Sequence, residues 1–204
     1  MTHVHSVKDV IHVHQCISGF TQDDQRPHGV LRLSETLHAL GYNNHVSRVS
    51  LRPWNDSWSH VAEHLWLLGQ HHEAEVIVNI YAYSWGVGWG SVQLAKELQR
   101  RGIKVHTLVA ADGVYRHKWF TVPSLLKRDS SFAPTIRIPG NVRFVVPFHQ
   151  TRNVPQGHRI AGAADFSGSI AKSIELASAH QYIDDDDAFH LAAIEAAEAL
   201  RRVS

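Results

Sequence analysis

The stretch "VIVNIYAYSWGVGWGSVQLAKELQRRG", residues 76–102, decides the fold. From Val76 to Tyr83 it is an apolar, strand-like run, and from about Gly90 to Arg101 it is a helix closed by Gly102. Ser84 stands at the apex between them, followed by glycines at 86, 88 and 90. A strand that enters a helix through so tight a turn needs small residues on both sides, and Ala82 and Gly86 supply them. Close packing of helix on strand accounts for the remaining glycines. The first amides of the helix point back at the turn and can hold negative charge developing beside Ser84, which makes the Trp85 amide a candidate donor.

Outward from this stretch, strands and helices alternate, the pattern of helices covering a mostly parallel sheet. "DVIHVHQCIS" (9–18) reads as a first buried strand, followed by a polar turn and the helix "VLRLSETLHALG" (30–41). "HVSRVSLRP" (45–53) alternates with period two and stops at a proline. "DSWSHVAEHLWLLGQH" (56–71) sets Trp58, Val61, Leu65 and Leu68 on one helical face. "KVHTLVAADGV" (104–114) and "NVRFVVPFHQ" (141–150) are the fourth and fifth strands, and "SIAKSIELASAH" (169–180) the last. "DDDDAFHLAAIEAAEALRR" (184–202) is a helix with an acidic start and a basic finish, which suits its dipole. Between the fourth and fifth strands, residues 115–139 form an irregular segment long enough for a lid or binding loop. No repeat or linker divides the chain, so one domain over 1–204 is expected.

The 204 residues, 44% of them apolar, suffice for one sizeable core. A net charge of +1 leaves no overall footprint for nucleic acid or an anionic membrane, so the expected partner is a small molecule. Cys16, the single cysteine, forms no internal disulfide, and no stretch approaches the roughly 18 apolar residues of a membrane span. The start "MTHVHSVKDVIHVHQC" lacks a leader pattern, and the expected location is cytoplasmic. Oligomeric state is not legible. Most of the seventeen histidines are expected on the surface, and most of the six tryptophans in the core or lining a cleft.

The pattern at the apex, Ala82-x-Ser84-x-Gly86, is one methyl away from the G-x-S-x-G nucleophile elbow. A solvated serine cap at a strand-to-helix turn is the plainer account of such a pentapeptide. With "CISGFTQDD", "VAADGVYR" and "SAHQYIDDDDAFH", it makes most of the chain resemble the α/β-hydrolase superfamily, in particular small esterase- or lipase-like serine hydrolases. The resemblance implies a three-layer α/β-hydrolase-like sandwich and a Ser-His-Asp triad in the order nucleophile, acid, histidine, acting on a small-molecule ester or similar acyl bond with no cofactor. Ser84 is then the nucleophile and His180, just before the last helix, the base; a surface loop histidine is the alternative.

Asp112 is the preferred acid, since it stands at the carboxyl end of the strand after the nucleophile helix, where α/β ligands gather. Asp165 and Asp129 are the later alternatives, and a simple Asp-Gly turn is the structural role of Asp112. The resemblance makes the Phe20 amide the second oxyanion donor, in "SGF" where the family often has His-Gly-x. Length and composition of 115–139 suggest that Trp119, Phe120, Leu125, Leu126 and Phe132 form an apolar acyl pocket.

Three other constellations compete. His12 and His14 share a strand face and could bind a metal, but no third ligand has a recognisable spacing. The run Asp184–Asp187 lacks the alternation and glycine of a calcium loop and reads as a helix start. "GVGWG" fails the dinucleotide fingerprint. The function of a different class is a binding or scaffolding protein that retains the fold without catalysis, which Ala82 and Ser18 keep open; a metal-dependent hydrolase comes third.

Overall fold

The computed structural model describes residues 9–20, 22, 26–119 and 122–202. Among these residues, nine strands and four α-helices follow in the order β1 (Val10–Ser18), α1 (Gly29–Ala39), β2 (Asn44–Arg48), α2 (Trp58–His71), β3 (Glu75–Tyr83), α3 (Val92–Arg100), β4 (Lys104–Ala111), β5 (Thr135–Ile138), β6 (Val142–His149), β7 (Arg159–Gly162), β8 (Ser169–Ile170), β9 (Ile174–Glu175) and α4 (Asp187–Arg201). The main sheet is parallel throughout, in the order β2-β1-β3-β4-β6-β8, and β9 also pairs with β6.

Two apolar faces explain why the sheet is covered on both sides. Along β3 the side chains of Val76, Val78, Ile80 and Ala82 join Ala62 and Leu65 of α2 and Leu94, Ala95 and Leu98 of α3 in one buried cluster. Tyr81 and Tyr83 point the other way, to Val30, Leu33 and Leu37 of α1 and Phe189, Ala193 and Ala197 of α4. Period-two alternation within each strand thus sends alternate residues to opposite helix layers. The result is the three-layer α/β sandwich expected from the alternation of elements. One register slip, with His106 the extra residue in β4, lies between the Val78 and Asn79 pairings.

The order of the strands positions everything that follows. After β1 the chain goes to β2 on one side, then returns to β3 on the other, so the carboxyl ends of β1 and β3 flank a switch point, where open α/β sheets bind ligands. Ile17 pairs with Ala82, and Tyr83 pairs with Ala111. The loops that leave β1, β3 and β4 are therefore neighbours by backbone hydrogen bonding alone.

Several elements differ from expectation. The segment 115–139 ends in β5, whose Ile136 and Ile138 are buried in the α2/α3-side cluster and which pairs with β7 in a second, two-stranded sheet. The last strand is only the two-residue bridges β8 and β9, because Ile174 and Glu175 are exposed and little apolar burial rewards a longer edge. On α2 the fully covered face is Trp58, Ala62, Leu65 and Gly69, while Val61 and Leu68 pack only in part. Trp54, Trp66 and Trp119 are exposed rather than core. No helix among the described residues is long and apolar enough to cross a membrane.

Beneath α4, His14 Nδ1 lies 2.9 Å from the Tyr81 hydroxyl, and Asn79 donates to that hydroxyl and to the Ala196 carbonyl. Burial, and then the charges of His12 and Arg201, lower the His14 imidazole from 6.5 to about 4. The unfolded chain binds this proton below about 6.5 and the folded chain only near 4. The stabilisation is therefore complete above 6.5 and is lost as the pH falls toward 4, by on the order of 3 kcal/mol. Thermal midpoints recorded between neutral pH and pH 4 will fall more steeply for the native chain than for His14→Gln; parallel slopes would assign the loss to other groups.

Candidate active site

Ser84 leaves β3 with φ 53°, in the left-handed region that costs a non-glycine residue about 1–2 kcal/mol. Its backbone is held from every side. Ser84 N–H donates to the Ala111 carbonyl at 3.0 Å, and its own carbonyl accepts from Val87 (3.0 Å), Gly88 (3.1 Å) and Val114 (3.1 Å). The first turn after it, Gly86–Ser91, is wound as a π-helix before α3 begins, a local geometry frequent at functional positions. The glycines follow from what surrounds this turn. A Cβ on Gly86 would lie 2.5 Å from the Ile17 carbonyl oxygen, and one on Gly88 would overlap the Val114 carbonyl. The turn is thus wedged, backbone against backbone, between the ends of β1 and β4.

The side chain of Ser84 is 7% exposed and its Oγ lies 3.0 Å from His180 Nε2. His180 Nδ1 lies 2.6 Å from Asp112 Oδ2. Asp112 directly follows β4 with φ 44° and is fully buried. Its Oδ1 accepts from the Gln150 N–H (3.2 Å) and the Gly157 N–H (2.6 Å), and its Oδ2 from Gln150 Nε2 (3.0 Å). Those donors satisfy the carboxyl oxygens that burial removes from water. His180 is oriented at its backbone too, where its N–H donates to Asn153 Oδ1 at 2.8 Å.

Three residues singled out from the sequence are therefore joined in one hydrogen-bonded line, although 96 positions separate Ser84 from His180 and 68 separate His180 from Asp112. Asp165 is exposed at the opposite end of the fold, hydrogen-bonded to Gln99 Nε2 and the Gly140 N–H, and Asp129 is exposed.

Neither the Trp85 nor the Phe20 amide has a protein acceptor among the described residues. Their rings lie against each other, tilted by 32° with centroids 4.6 Å apart, and the Arg116 guanidinium lies 4.3 Å over the Trp85 ring. Arg116 is 2% exposed and its Nη2 donates to the Leu51 carbonyl, so a buried positive charge backs Trp85. A cavity of about 170 Å³ opens on Ser84 and His180, lined by Phe20, Trp85, Val114, Leu125 and Pro155. Trp119 does not line it. That residue is 72% exposed and stacks on Trp54 at 5.4 Å. Phe120 lies outside the described residues. Leu126 and Phe132 are likewise not on the cavity wall.

His158 fixes the start of the 115–139 segment. Its Nδ1 accepts from the Tyr115 N–H at 2.8 Å, so Nε2 carries the proton that it donates to the Leu126 carbonyl at 3.0 Å; burial lowers its pKa, which suits the neutral ring. Sequence reading missed His158, Gln150, Asn153 and Gly157. Each acts across a long sequence separation and carries no local pattern. Among the described residues no group of three His, Cys, Asp or Glu converges as a metal site.

No family model matches the chain, and no curated protein does. Among solved structures, the crystal structure of the ydeN gene product from B. subtilis is similar in fold, with 13% identity over 92% of this chain and 99% of that one and a TM-score of 0.49.

The wedged turn sets a stability test. Gly88→Ala forces the Val114 carbonyl aside and will cost about 2–3 kcal/mol or more in chemical denaturation; a loss below about 0.5 kcal/mol, the range of ordinary surface changes, would show that the turn is not tightly held.

Proposed function

We propose that this chain is a serine hydrolase that cleaves a carboxylic ester, or a related acyl bond, through an acyl-serine intermediate. The observation that carries the proposal is the continuous line from Ser84 Oγ through the His180 ring to Asp112, with both contacts within the 2.6–3.2 Å reach of a general base. In this reading His180 takes the Ser84 proton on Nε2 as Oγ attacks the carbonyl carbon, and returns it to the leaving group. Asp112 fixes the Nδ1–H tautomer and offsets the charge of the imidazolium. The amides of Trp85 and Phe20 receive the tetrahedral oxyanion, each worth about 3–4 kcal/mol. Water, activated by the same histidine, then releases the acyl group.

The substrate's acyl group fits the small cavity between Leu125, Val114 and Pro155, which favours short chains. Through Leu125 the 115–139 segment reaches the wall of this cavity and serves as its lid or substrate loop. A hydrogen-bonded triad of this completeness favours catalysis over the scaffolding alternative, since a non-catalytic protein has no use for a buried carboxylate satisfied by four donors.

A fluorophosphonate probe will label the native protein and not Ser84→Ala; absence of labelling in folded native protein would overturn the hydrolase reading. Asp112→Asn will lower kcat for p-nitrophenyl acetate by about 10³–10⁴, with KM little changed. Leu125→Trp will shift preference among p-nitrophenyl esters further toward acetate; an unchanged preference would move the acyl pocket elsewhere.

A further inference from the structure

The loop that leaves β1 is closed by one glutamine. Gly19 N–H donates to Gln22 Oε1 at 3.0 Å, and Gln22 N–H donates back to the Gly19 carbonyl at 3.3 Å. The second contact matters for the peptide that joins Gly19 to Phe20. In a trans peptide the carbonyl and the following N–H point in opposite directions, so a Gly19 carbonyl held on Gln22 turns the Phe20 N–H away from it. Beneath the loop, the Tyr83 ring leaves no room for a side chain, since a Cβ on Gly19 would lie 2.7 Å from it.

Gln22 is held in turn. Its Nε2 donates at 2.6 Å to Asp184 Oδ2, which also accepts from the Val30 N–H at 3.1 Å. Asp184 is fully buried, and its Oδ1 has no partner among the described residues. Burial pushes its carboxyl above the ordinary range. A buried carboxylate is a poor stabilising device, because a well-packed apolar residue serves a core as well or better. Its position points to another use. Asp184 belongs to the 3₁₀ turn His180–Asp185, whose first residue is the proposed base, and the Tyr83 ring lies 5.1 Å from His180.

We propose that Gln22 and Asp184 are positioning residues: the chain of hydrogen bonds Asp184–Gln22–Gly19 sets the Phe20 amide toward the oxyanion and locks it in register with the turn that carries His180. The proposal rests on the serine hydrolase reading. Asp184 acts on the reaction only through Gln22, and Gln22 only through the Gly19–Phe20 peptide.

The test uses Gln22→Met, which keeps length and shape and removes both side-chain bonds, with p-nitrophenyl acetate as substrate and phenylboronic acid as the tetrahedral analogue. The variant leaves buried Asp184 with the Val30 N–H alone, so its thermal midpoint is expected to fall, and all rates and affinities are read well below that midpoint on protein whose circular dichroism matches the native chain. Its kcat will fall about tenfold, less than the loss on deleting an oxyanion donor, with KM within twofold and boronate affinity weakened in parallel with kcat. Asp184→Asn will produce a smaller loss, and none at all in the Gln22→Met background. Native kcat and boronate affinity in Gln22→Met would overturn the relay, as would a changed KM at constant kcat, which would put Gln22 on the substrate. Additive losses in the double variant would overturn the part assigned to Asp184. Should Asp184→Asn fail to fold, Gln22→Met alone decides. Fluorophosphonate labelling of the native protein separates the two levels: labelled protein with an unaffected Gln22→Met sinks the relay only, whereas unlabelled protein sinks both.

Discussion

Ser84 at φ 53° is the constraint on which the rest of the molecule depends. Left alone, that residue would relax into an ordinary extended or helical conformation, at a gain of about 1–2 kcal/mol. It does not relax because its carbonyl accepts three amides and its N–H is taken by β4, while the glycines after it let β1 and the loop after β4 press directly on the turn. The strain is spread into the sheet, where strand pairing and two apolar layers outweigh it. The hydroxyl that results is directed into a cavity rather than along a helix.

Adjacency does the remaining work. Parallel pairing of β1 with β3, and of β3 with β4, puts three loop starts side by side, so Phe20, Ser84 and Asp112 need no special long-range device to meet. His180 does need one. It comes from the far side of the sheet, after a pair of two-residue bridges, and its turn is tied down at the Asn153 side chain and at Asp184. The four aspartates that open this region divide the labour: Asp184 is buried against Gln22, Asp185 pairs with Arg32, Asp186 caps α4 by accepting from the Ala188 N–H, and Asp187 sits in the first turn of that helix.

Much of this was legible in the residues. Alternation of strand and helix is a local signal, and so is the crowding of small residues around Ser84. Asp112 and His180 were legible through their place at the carboxyl ends of β4 and of the last sheet elements. What the sequence hid is of two kinds. Gln150, Gly157, Asn153 and His158 matter because of partners 27 to 45 positions away, and nothing nearby marks them. β5 was hidden for another reason: four residues, "TIRI", are too short to stand out from an irregular stretch until Ile136 and Ile138 find the cluster they complete. Trp119 misled by composition, since a large indole suggests burial, whereas here it meets Trp54 face to face in solvent.

That pair of indoles, with rings 5.4 Å apart and tilted by 26°, has an optical consequence. Two chromophores so close couple their excited states, and the coupling depends steeply on their separation and mutual angle. One indole belongs to the short turn after β2 and the other to the stretch after β4, so any movement of one toward or away from the other registers as a change in ultraviolet circular dichroism. The turn after β2 and the stretch after β4 thus carry a built-in, label-free gauge of the spacing between them.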